Sequence, residues 1–454
     1  MTSPAALSPA VLPKTRWLNP LQLWRIICQP RMMHTWLREH VGPLAPIRVQ
    51  GLNHVMVLTA EGARQVFAAD PAGYDPFFKE MFTGVAGPAS LWVVNGEAHR
   101  RERRLFAPAV NANHVGRYLS TIREISRSHL EEWQPGQTVR ALDTTLAISR
   151  DILMRLVFGV EDPALMAEGR ALMDGLRRTG NPVPVFVVPL QRPWFPIWRR
   201  YLAAKTAFSD WVVRLLRARR ARGADGETDD VVGRMLAARH EDGSRMRDDE
   251  ICDELNTILQ GGHQTTAAGV AWTLYELSRH PQVLKKLRAE LDGVGAEADP
   301  GLVVRLPYLK AVCNEAIRLN PVLPECGRML AEPVEILGYT IPAGTALAVS
   351  ITAIHHDPSL YPEPDRFFPE RFIERSYTTF EFLPFGGAHR RCVGAMLAEC
   401  AMRIALAETV CRWDFEPAEI ERNVRHDLAM GPKYGVRLRI KERSAQTEFA
   451  SAPA

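Results

Sequence analysis

The spacing of apolar residues along the chain predicts a mostly helical protein. In the longest stretch, Asp248–Ser278, apolar positions recur every three or four residues, as on one face of a helix. Gly261 and Gly262 interrupt it, although two glycines cost a helix about 1–2 kcal/mol relative to alanines. Further helices are predicted at Asp143–Val157, at Leu309–Asn320, and after Cys392 as far as Arg412.

Shorter alternating stretches predict a minor β component. Strands are predicted at Ile47–Gln50, His54–Thr59, Glu335–Tyr339 and Thr345–Ser350, a hairpin over residues 425–440, and a proline-rich loop from Pro182 to Pro196 between two helices. The pattern favours a mainly α (α+β) fold, formed as a single unit over residues 1–454. Residues 1–20 and 442–454 are expected to be loose termini.

Composition narrows the class of protein. The chain of 454 residues has 56 basic and 52 acidic side chains, and 56 − 52 gives a net charge of +4, too small to predict a nucleic-acid partner. No stretch of eighteen apolar residues predicts a membrane span, and Met1–Pro13 does not resemble a signal peptide. Seven cysteines without a C-x-x-C pair argue against a disulfide framework and structural zinc. We therefore expect a cytoplasmic protein.

One cysteine stands in an unusual setting. Residues 385–394, with the sequence FGGAHRRCVG, combine a glycine-rich loop, two arginines and Cys392 directly before a predicted helix. Unpaired N–H groups and the helix dipole at such an end stabilise a thiolate, and glycines let a bulky ligand approach the backbone. A thiolate in this setting suits an iron ligand.

With this loop the chain resembles the cytochrome P-450 superfamily, the haem-thiolate monooxygenases. We take the loop to match every fixed position of the family signature F-x-x-G-x-R-x-C-x-G, including its glycines. Three further elements are similar in order and spacing. These are the E-x-x-R pair Glu315 and Arg318, the segment Pro369-Glu370-Arg371-Phe372, and the stretch from Gly261 to Thr266.

The resemblance implies a cytochrome P-450 fold, with helical core and small sheets, that binds haem b between the long central helix and the Cys392 loop. Cys392 would be the axial iron ligand, and Phe385, Gly386 and Gly394 would shape its loop. The propionates would be bound by His99, Arg103, Arg328 and Arg390. Glu315, Arg318 and Arg371 would form a structural trio beneath the haem.

Two residues of the long helix would take part in catalysis. The resemblance implies that the hydroxyl of Thr265 assists oxygen activation and proton delivery, although a hydroxyl in a helix often bonds back to the carbonyl four residues earlier. Gln264 stands where the family usually has a carboxylic acid, and an amide cannot carry a proton. Normal but slower turnover, peroxide-driven turnover, chemistry that needs fewer protons and a neutral variation all remain open.

The expected reaction is insertion of one oxygen atom from dioxygen into a small apolar organic substrate such as a fatty acid, terpenoid or polyketide. The expected pocket residues are Phe77, Phe78, Met81, Phe82, Leu91, Trp92, Val185–Pro189, Val322, Leu323, Pro324, Met430, Gly431 and Pro432. The alternatives are peroxygenation, oxidative coupling or desaturation, and, from another class, a haem-binding protein without turnover.

Electrons would have to come from a separate ferredoxin or flavodoxin with its reductase, because no fused reductase is predicted, and the protein is expected to be a monomer. A basic docking face is predicted from Arg100, Arg101, Arg104, His389 and Arg391, although His389 and Arg391 are also expected to be plain surface groups. His263 is expected to pack against a helix or line a cavity.

Overall fold

The computed structural model describes residue 12 and residues 15–49, 52–69, 73–106, 112–221, 230–240, 243–426 and 428–443. Its helices are α1 (Pro20–Cys28), α2 (Pro30–His40), α3 (Ala60–Ala68), α4 (Lys79–Ala86), α5 (Gly96–Phe106), α6 (Ala112–Leu130), α7 (Ala141–Ile152), α8 (Pro163–Thr179), α9 (Pro182–Phe186), α10 (Pro196–Ala221), α11 (Val231–Ala237), α12 (Asp248–Arg279), α13 (Pro281–Val294), α14 (Pro300–Val303), α15 (Pro307–Leu319), α16 (Ile351–His355), α17 (Arg371–Glu374) and α18 (Ala395–Arg412).

Its strands are shorter. They are β1 (Arg16–Trp17), β2 (Leu44–Val49), β3 (Leu52–Val57), β4 (Tyr74–Asp75), β5 (Thr138–Arg140), β6 (Glu325–Leu330), β7 (Val334–Ile336), β8 (Tyr339–Ile341), β9 (Ala346–Ser350), β10 (Trp413–Pro417), β11 (Asn423–Arg425), β12 (Met430–Pro432) and β13 (Arg437–Glu442). Helices therefore dominate, and the mainly α (α+β) prediction is confirmed.

Helix α12 is the centre of the molecule, 32 residues long. Three acidic residues in its first turn complement the positive end of the helix dipole. Every residue from Ala267 to Leu277 is buried, because α7, α15 and α18 pack around this half. The predicted helix at Asp248–Ser278 is confirmed, and the Gly261–Thr266 segment directly precedes its buried half, with His263 buried and the other five residues half-buried.

The main sheet has six strands in the order β1-β2-β3-β9-β6-β4. Strand β9 pairs in parallel with β3, with Ala346 opposite His54, and antiparallel with β6. This pairing joins the N-terminal strands to the segment that follows α15. The second sheet, in the order β10-β13-β5, joins the C-terminal strand to residues 138–140.

The termini are partly ordered. Arg16–Trp17 forms a strand and α1 begins at Pro20, so residues 16–20 are not the loose segment that we predicted. Glu442 lies in β13, so the predicted start of the loose C-terminal segment at residue 442 was wrong. Residues 1–11, 13–14 and 444–454, the rest of the predicted loose ends, lie outside the described residues.

Two strand predictions were wrong. The predicted strand Glu335–Tyr339 contains the turn of the β7–β8 hairpin, where Leu337 and Gly338 have φ of 51° and 78°. The predicted hairpin over residues 425–440 does not form, because β11 pairs with β12 whereas β13 pairs with β10 and β5. Alternation of apolar and polar residues identifies segments that form strands, but it does not predict which strands pair with each other.

Smaller differences concern helix ends. The last turns of the predicted helix Asp143–Val157 form a π-helical segment, Leu153–Val157. The proline-rich stretch is confirmed as a connection between two helices, although it contains the short α9 and a 3-10 turn, Val188–Leu190. Among the described helices, none combines the length and the apolar character needed to cross a lipid bilayer.

Candidate active site

The Cys392 loop is closed by its own backbone. The N–H of Cys392 donates to the carbonyl of Phe385 at 2.9 Å, and the N–H of Gly386 donates to Leu383 at 3.0 Å. Gly386 has φ of 67°, a left-handed conformation that glycine adopts without a Cβ clash. Helix α18 begins three residues after Cys392, so the predicted placement of the cysteine just before a helix is confirmed.

The glycine match in this loop needs a correction. The fourth position of the family signature falls on Ala388, so the loop does not match every fixed position. Ala388 has φ of 56°, the left-handed conformation in which a Cβ is unfavourable. At the preceding residue, Gly387, packing and not backbone conformation requires glycine. A Cβ there would lie 2.6 Å from the Phe67 ring.

The Cys392 side chain is exposed although protein surrounds it. Both observations hold if the thiol borders a space inside the molecule. Burial raises the pKa of the thiol, whereas the N–H of Gly394 and the charges of Arg391 and Arg103 lower it. A bound metal cation would complete the deprotonation.

A group of three arginines and two histidines lies beside the loop. His99 and Arg103 are on α5, Arg328 is on β6, and His389 and Arg390 directly precede the cysteine region. Burial lowers the pKa of His99 to about 3, and the charges of Arg390, His389, Arg103 and Arg328 lower it further. Five groups from three parts of the chain thus meet at one place.

Their hydrogen bonds differ. Arg390 donates to the carbonyl of Val94 at 2.8 Å and to Oδ1 of Asn95 at 3.0 Å, which ties the loop to the start of α5. Arg328 donates to the carbonyl of Gly387 at 2.9 Å. Within the described residues, neither arginine nor Arg103 forms an ion pair with a carboxylate. Their charge is therefore available to an anionic ligand.

Buried polar atoms without a hydrogen-bond partner indicate whether haem fits between these residues. The Nε atom of Arg390 and the Nε2 atom of His389 are buried without a hydrogen-bond partner. Burial also lowers the pKa of Arg103, and the nearby thiol of Cys392 raises it. An exposed thiol beside arginines that lack carboxylate partners is the donor set that an iron porphyrin with two propionates needs. The residues fit haem.

His389 is a functional candidate that the sequence prediction placed on the surface. Its ring is half-buried and meets the His99 ring edge to face, with centroids 5.7 Å apart. Burial lowers its pKa to about 4, so it is neutral and adds no charge to a docking face. Asn95 was missed altogether, although the Asn95-Gly96 turn before α5 marked it as a position with special geometry.

Helix α12 contributes Thr265, whose side chain is half-buried. Its hydroxyl donates to the carbonyl of Gly261 at 2.6 Å, the bond back to the fourth preceding residue. The donor hydrogen is therefore used, and the oxygen presents its lone pairs as acceptors. Gln264 beside it is half-buried and also has an interaction partner.

His263 packs against α7. Its Nε2 lies 3.0 Å from the carbonyl of Leu146 on α7, and Ser149 Oγ donates to the carbonyl of His263 at 3.0 Å. Burial lowers its pKa to about 4. It is a neutral packing residue, as predicted.

The two glycines of α12 have different neighbours. A Cβ at Gly261 would lie 3.0 Å from Cζ2 of Trp92, whereas a Cβ at Gly262 would lie 3.8 Å from Leu153. Gly261 thus makes room for a tryptophan from the loop before α5. The ring of Phe82 packs edge to face on Trp92, with centroids 5.1 Å apart.

Other predicted pocket residues come together from distant segments. The N–H of Met430 donates to the carbonyl of Val322 at 2.7 Å, which joins β12 to the segment after α15. Phe77 and Phe78 are stacked at a tilt with centroids 4.1 Å apart. Phe77 covers Gly327, where a Cβ would lie 2.3 Å from its ring.

The predicted trio of Glu315, Arg318 and Arg371 forms in the core. Arg318 Nε donates to Glu315 Oε2 at 2.6 Å, and Arg371 Nε donates to Glu315 Oε1 at 3.0 Å. Glu315 and Arg318 have 0% exposed side-chain surface. Arg318 also donates to the carbonyls of His355 at 2.7 Å and Pro364 at 2.9 Å, so the trio ties the segment before α17 to α15.

The predicted docking face keeps part of its charge. Arg100 and Arg101 are exposed but pair with Glu97 and Glu102, each at 3.0 Å. Arg104 is exposed and has an interaction of its own. Arg391 is exposed, and its guanidinium lies 5.9 Å from the centre of the Phe385 ring. Arg391 is thus the strongest remaining candidate of the five.

Comparison with known proteins adds independent support. Residues 11–436 match the family model for cytochrome P-450. The chain is 31% identical to cytochrome P-450 135B1 of Mycobacterium tuberculosis over 414 residues, 90% of this chain and 86% of the relative. It is 32% identical to cytochrome P-450 138 of the same species over 401 residues, which cover 86% of each chain.

Solved structures share the fold. A retinoic acid-bound cyanobacterial CYP120A1 superposes with a TM-score of 0.84 at 22% identity, over 95% of this chain and 100% of that chain. The cytochrome P450DA heme domain gives a TM-score of 0.83 at 22% identity, over 96% and 99% of the two chains. The chain belongs to the cytochrome P-450 family of haem-thiolate monooxygenases, whose cofactor is haem b.

Proposed function

We propose that Cys392 is the axial ligand of the haem iron and that residues 1–454 work as one catalytic unit. The observation that carries this proposal is the Cys392 thiol, surrounded by protein yet exposed, beside arginines without carboxylate partners. Haem bound there supplies the redox chemistry that activates dioxygen and inserts one oxygen atom into an organic substrate.

The protein's own residues hold and orient the reactants. Arg103, Arg328 and Arg390 would bind the propionates as charge-assisted donors, and the neutral His99 would donate a hydrogen bond. Phe385, Gly386 and Gly394 would shape the loop around the thiolate. Glu315, Arg318 and Arg371 act through the fold, because they position the polypeptide beneath the site.

Proton delivery would depend on Thr265 and Gln264. The Thr265 oxygen can accept a hydrogen bond from water while its hydrogen stays on the Gly261 carbonyl. Gln264 can order a water but cannot release a proton as an acid would. This absence of a carboxylic acid favours a second candidate function, turnover driven by hydrogen peroxide, which delivers its own protons.

The substrate would be a small apolar molecule, such as a fatty acid, terpenoid or polyketide, that is hydroxylated or epoxidised. Support comes from the aromatic residues Trp92 and Phe82 at α12 and from Phe77 and Phe78 near β6. Electrons would come from a separate cytoplasmic ferredoxin or flavodoxin with its reductase, which would dock on Arg391 and its exposed neighbours.

The test is a reduced, carbon-monoxide-bound absorption spectrum of the purified protein and of Cys392→Ser. Wild type should give the spectrum of a thiolate-ligated haem, and the variant should not. A spectrum of histidine ligation in wild type would contradict the assignment of Cys392. Substrate classes would then be compared by the spin-state shift that they cause, followed by product analysis with redox partners and with hydrogen peroxide.

A further inference from the structure

Two buried carboxylic acids lie between α5 and α12. Glu102 on α5 and Glu254 on α12 are each only 4% exposed. Oε1 of Glu102 accepts a hydrogen bond from Arg101 at 3.0 Å, but Oε2 of Glu102 and Oε1 of Glu254 are buried without a partner among the described residues. A buried acceptor that lacks a donor is costly. One proton between the two carboxyl groups would satisfy both atoms, because a protonated carboxyl group donates a hydrogen bond.

The charges around Glu254 favour its neutral form. Burial raises the pKa of Glu254 well above the usual value of a glutamate, and the charge of Glu102 raises it further. The N–H of Leu91 lowers this pKa, whereas the charge of Asp253 raises it. Both of these charges are negative, and ionising two close carboxyl groups together is unfavourable. The setting of Glu254 thus favours a carboxylic acid over a carboxylate.

Charged side chains on the surrounding helices leave this setting in place. On α5, His99 is neutral and Arg103 lies near the loop thiol. On α10, Lys205 faces Asp253. Helix α11, which packs on α5, carries one charged residue, Arg234, and it has an interaction of its own. Both charged residues of α4, which packs on α12, are exposed to solvent.

The same part of α12 binds residues 87–95, here called the α4–α5 connection. Oδ2 of Asp253 accepts a hydrogen bond from the N–H of Ala89 at 3.0 Å, and Oγ1 of Thr257 lies 2.7 Å from Oγ of Ser90. Glu254 faces the N–H that follows. These three residues of α12 fall within five positions, so they lie on one side of the helix. The connection therefore rests on α12 through three polar side chains in a row.

The α4–α5 connection is also part of the candidate active site. The N–H of Leu91 faces Glu254, and the carbonyl of Leu91 accepts a hydrogen bond from Arg390 at 3.2 Å. The next residue, Trp92, packs over Gly261, where a Cβ would lie 3.0 Å from its ring. A displacement of Leu91 would therefore affect both the Cys392 loop and the packing on α12.

We propose that Glu102 and Glu254 share one proton and that this proton holds the α4–α5 connection on α12. Glu254 is then a positioning residue, because it acts through Leu91 and Trp92 and does not touch the reacting atoms. When the proton passes to solvent at higher pH, two buried carboxylates repel each other and the connection loosens. The consequence for haem contacts of Arg390 rests on the proposed function, whereas the movement of the connection does not.

The direction of the pH dependence follows from the raised pKa of Glu254. An acid whose pKa is higher in the folded protein than in the unfolded chain stabilises the fold fully in acid. This stabilisation is lost as the pH rises through the raised pKa. The α4–α5 connection should therefore be held tightly at low pH and released at high pH, in a single step that belongs to the pair.

The test is hydrogen–deuterium exchange of the full-length haem-loaded protein at a series of pH values, corrected for the intrinsic exchange rate. In wild type, protection of residues 87–95 should fall about tenfold across the step, because the repulsion between close, buried charges is large. Glu254→Gln keeps the size of the side chain, donates to Glu102 and does not titrate, so its protection should stay high. Glu102→Gln supplies an amide donor to Glu254 and should also abolish the step.

Matched variants identify the titrating group. Glu97→Gln changes an exposed acid on the same helix, paired with Arg100, and should keep the wild-type step. Asp253→Asn should lower protection at every pH but retain the step. A step of wild-type size in both Glu254→Gln and Glu102→Gln, a step that only Asp253→Asn removes, or no step in wild type would overturn the proposal.

The haem spectrum is recorded on the same samples. An unchanged spectrum at low pH confirms that each variant is folded. The reduced, carbon-monoxide-bound spectrum tests Cys392 as ligand, so a failure of the proposed function is seen there. A failure of the shared proton is seen only in the exchange of residues 87–95.

Discussion

At the scale of single residues, Ala388 holds a conformation that its side chain opposes. Its φ of 56° lies in the left-handed region, which costs a residue with a Cβ about 1–2 kcal/mol. The loop accepts this cost because Phe385, Arg390 and Cys392 on either side are fixed by their own hydrogen bonds and contacts. The strain therefore sits four residues from the thiol.

Ala388→Gly should stabilise the folded protein by about 1 kcal/mol, since glycine adopts this φ without a clash. Thermal unfolding of the haem-loaded protein measures the change. Ala398→Gly is the matched control, because Ala398 is half-buried in the body of α18, where glycine should destabilise by about 1 kcal/mol. Equal destabilisation by both changes would show that the left-handed conformation carries no cost.

Gln264 is the second residue whose chemistry invites a direct test. If the amide limits proton delivery, Gln264→Glu should raise the fraction of electrons that end in product by severalfold, because a carboxylic acid can release a proton. The measurement is the ratio of product to NADPH consumed, compared with the peroxide-driven rate. Gln260→Glu, one turn earlier on α12, serves as the control. An unchanged ratio would mean that the amide has no special role.

At the scale of elements, the two glycines of α12 are expected to respond differently to substitution. Gly261 is required by packing, whereas Gly262 only lowers the helix propensity. Gly261→Ala places a Cβ 3.0 Å from Trp92 and should displace that ring, whereas Gly262→Ala has 3.8 Å to Leu153. We expect Gly261→Ala to change the spin-state response to substrate, and Gly262→Ala to stabilise α12 by up to about 1 kcal/mol. Identical spectra and melting temperatures for the two variants would contradict the difference in packing.

The Glu315 trio is a buried electrostatic link between elements. Glu315→Gln would leave Arg318 and Arg371 buried with one neutral partner, at a cost of about 3–5 kcal/mol. We expect loss of haem content and a much lower melting temperature. Glu399→Gln is the control, because its partner Arg403 also bonds the carbonyl of Val304 and Glu399 itself is 27% exposed. A stable Glu315→Gln protein with full haem would count against the structural role.

Sequence patterns predicted elements better than their connections. Helix α12 was predicted to within one residue, because its apolar spacing is long and regular. The hairpin over residues 425–440 failed, because β13 takes partners from residues 138–140 and 413–417, far away in the sequence. Likewise, the motif located Arg390 and His99, but the role of Asn95 and the burial of His389 depend on contacts across nearly 300 residues.

At the scale of the whole molecule, the small net charge conceals an uneven distribution. Arg391→Glu should slow reduction by an acidic ferredoxin about tenfold at low salt, because electrostatic steering raises association rates by at least that factor. Stopped-flow reduction at several ionic strengths measures this effect. Lys433→Glu makes the same charge change on another element and should leave the rate near that of wild type. A wild-type rate that does not depend on salt would contradict docking at this face.

The bonds of Arg390 to Val94 and Asn95 have a consequence for synthesis of the protein. These partners are separated by almost 300 residues, so both walls of the site exist only after the Cys392 loop has left the ribosome. Residues 91–103 emerge early and must wait, with their cationic side chains in water, while most of the chain is translated. Capture of the cofactor is therefore a late event, and nascent chains truncated before residue 390 should not retain haem.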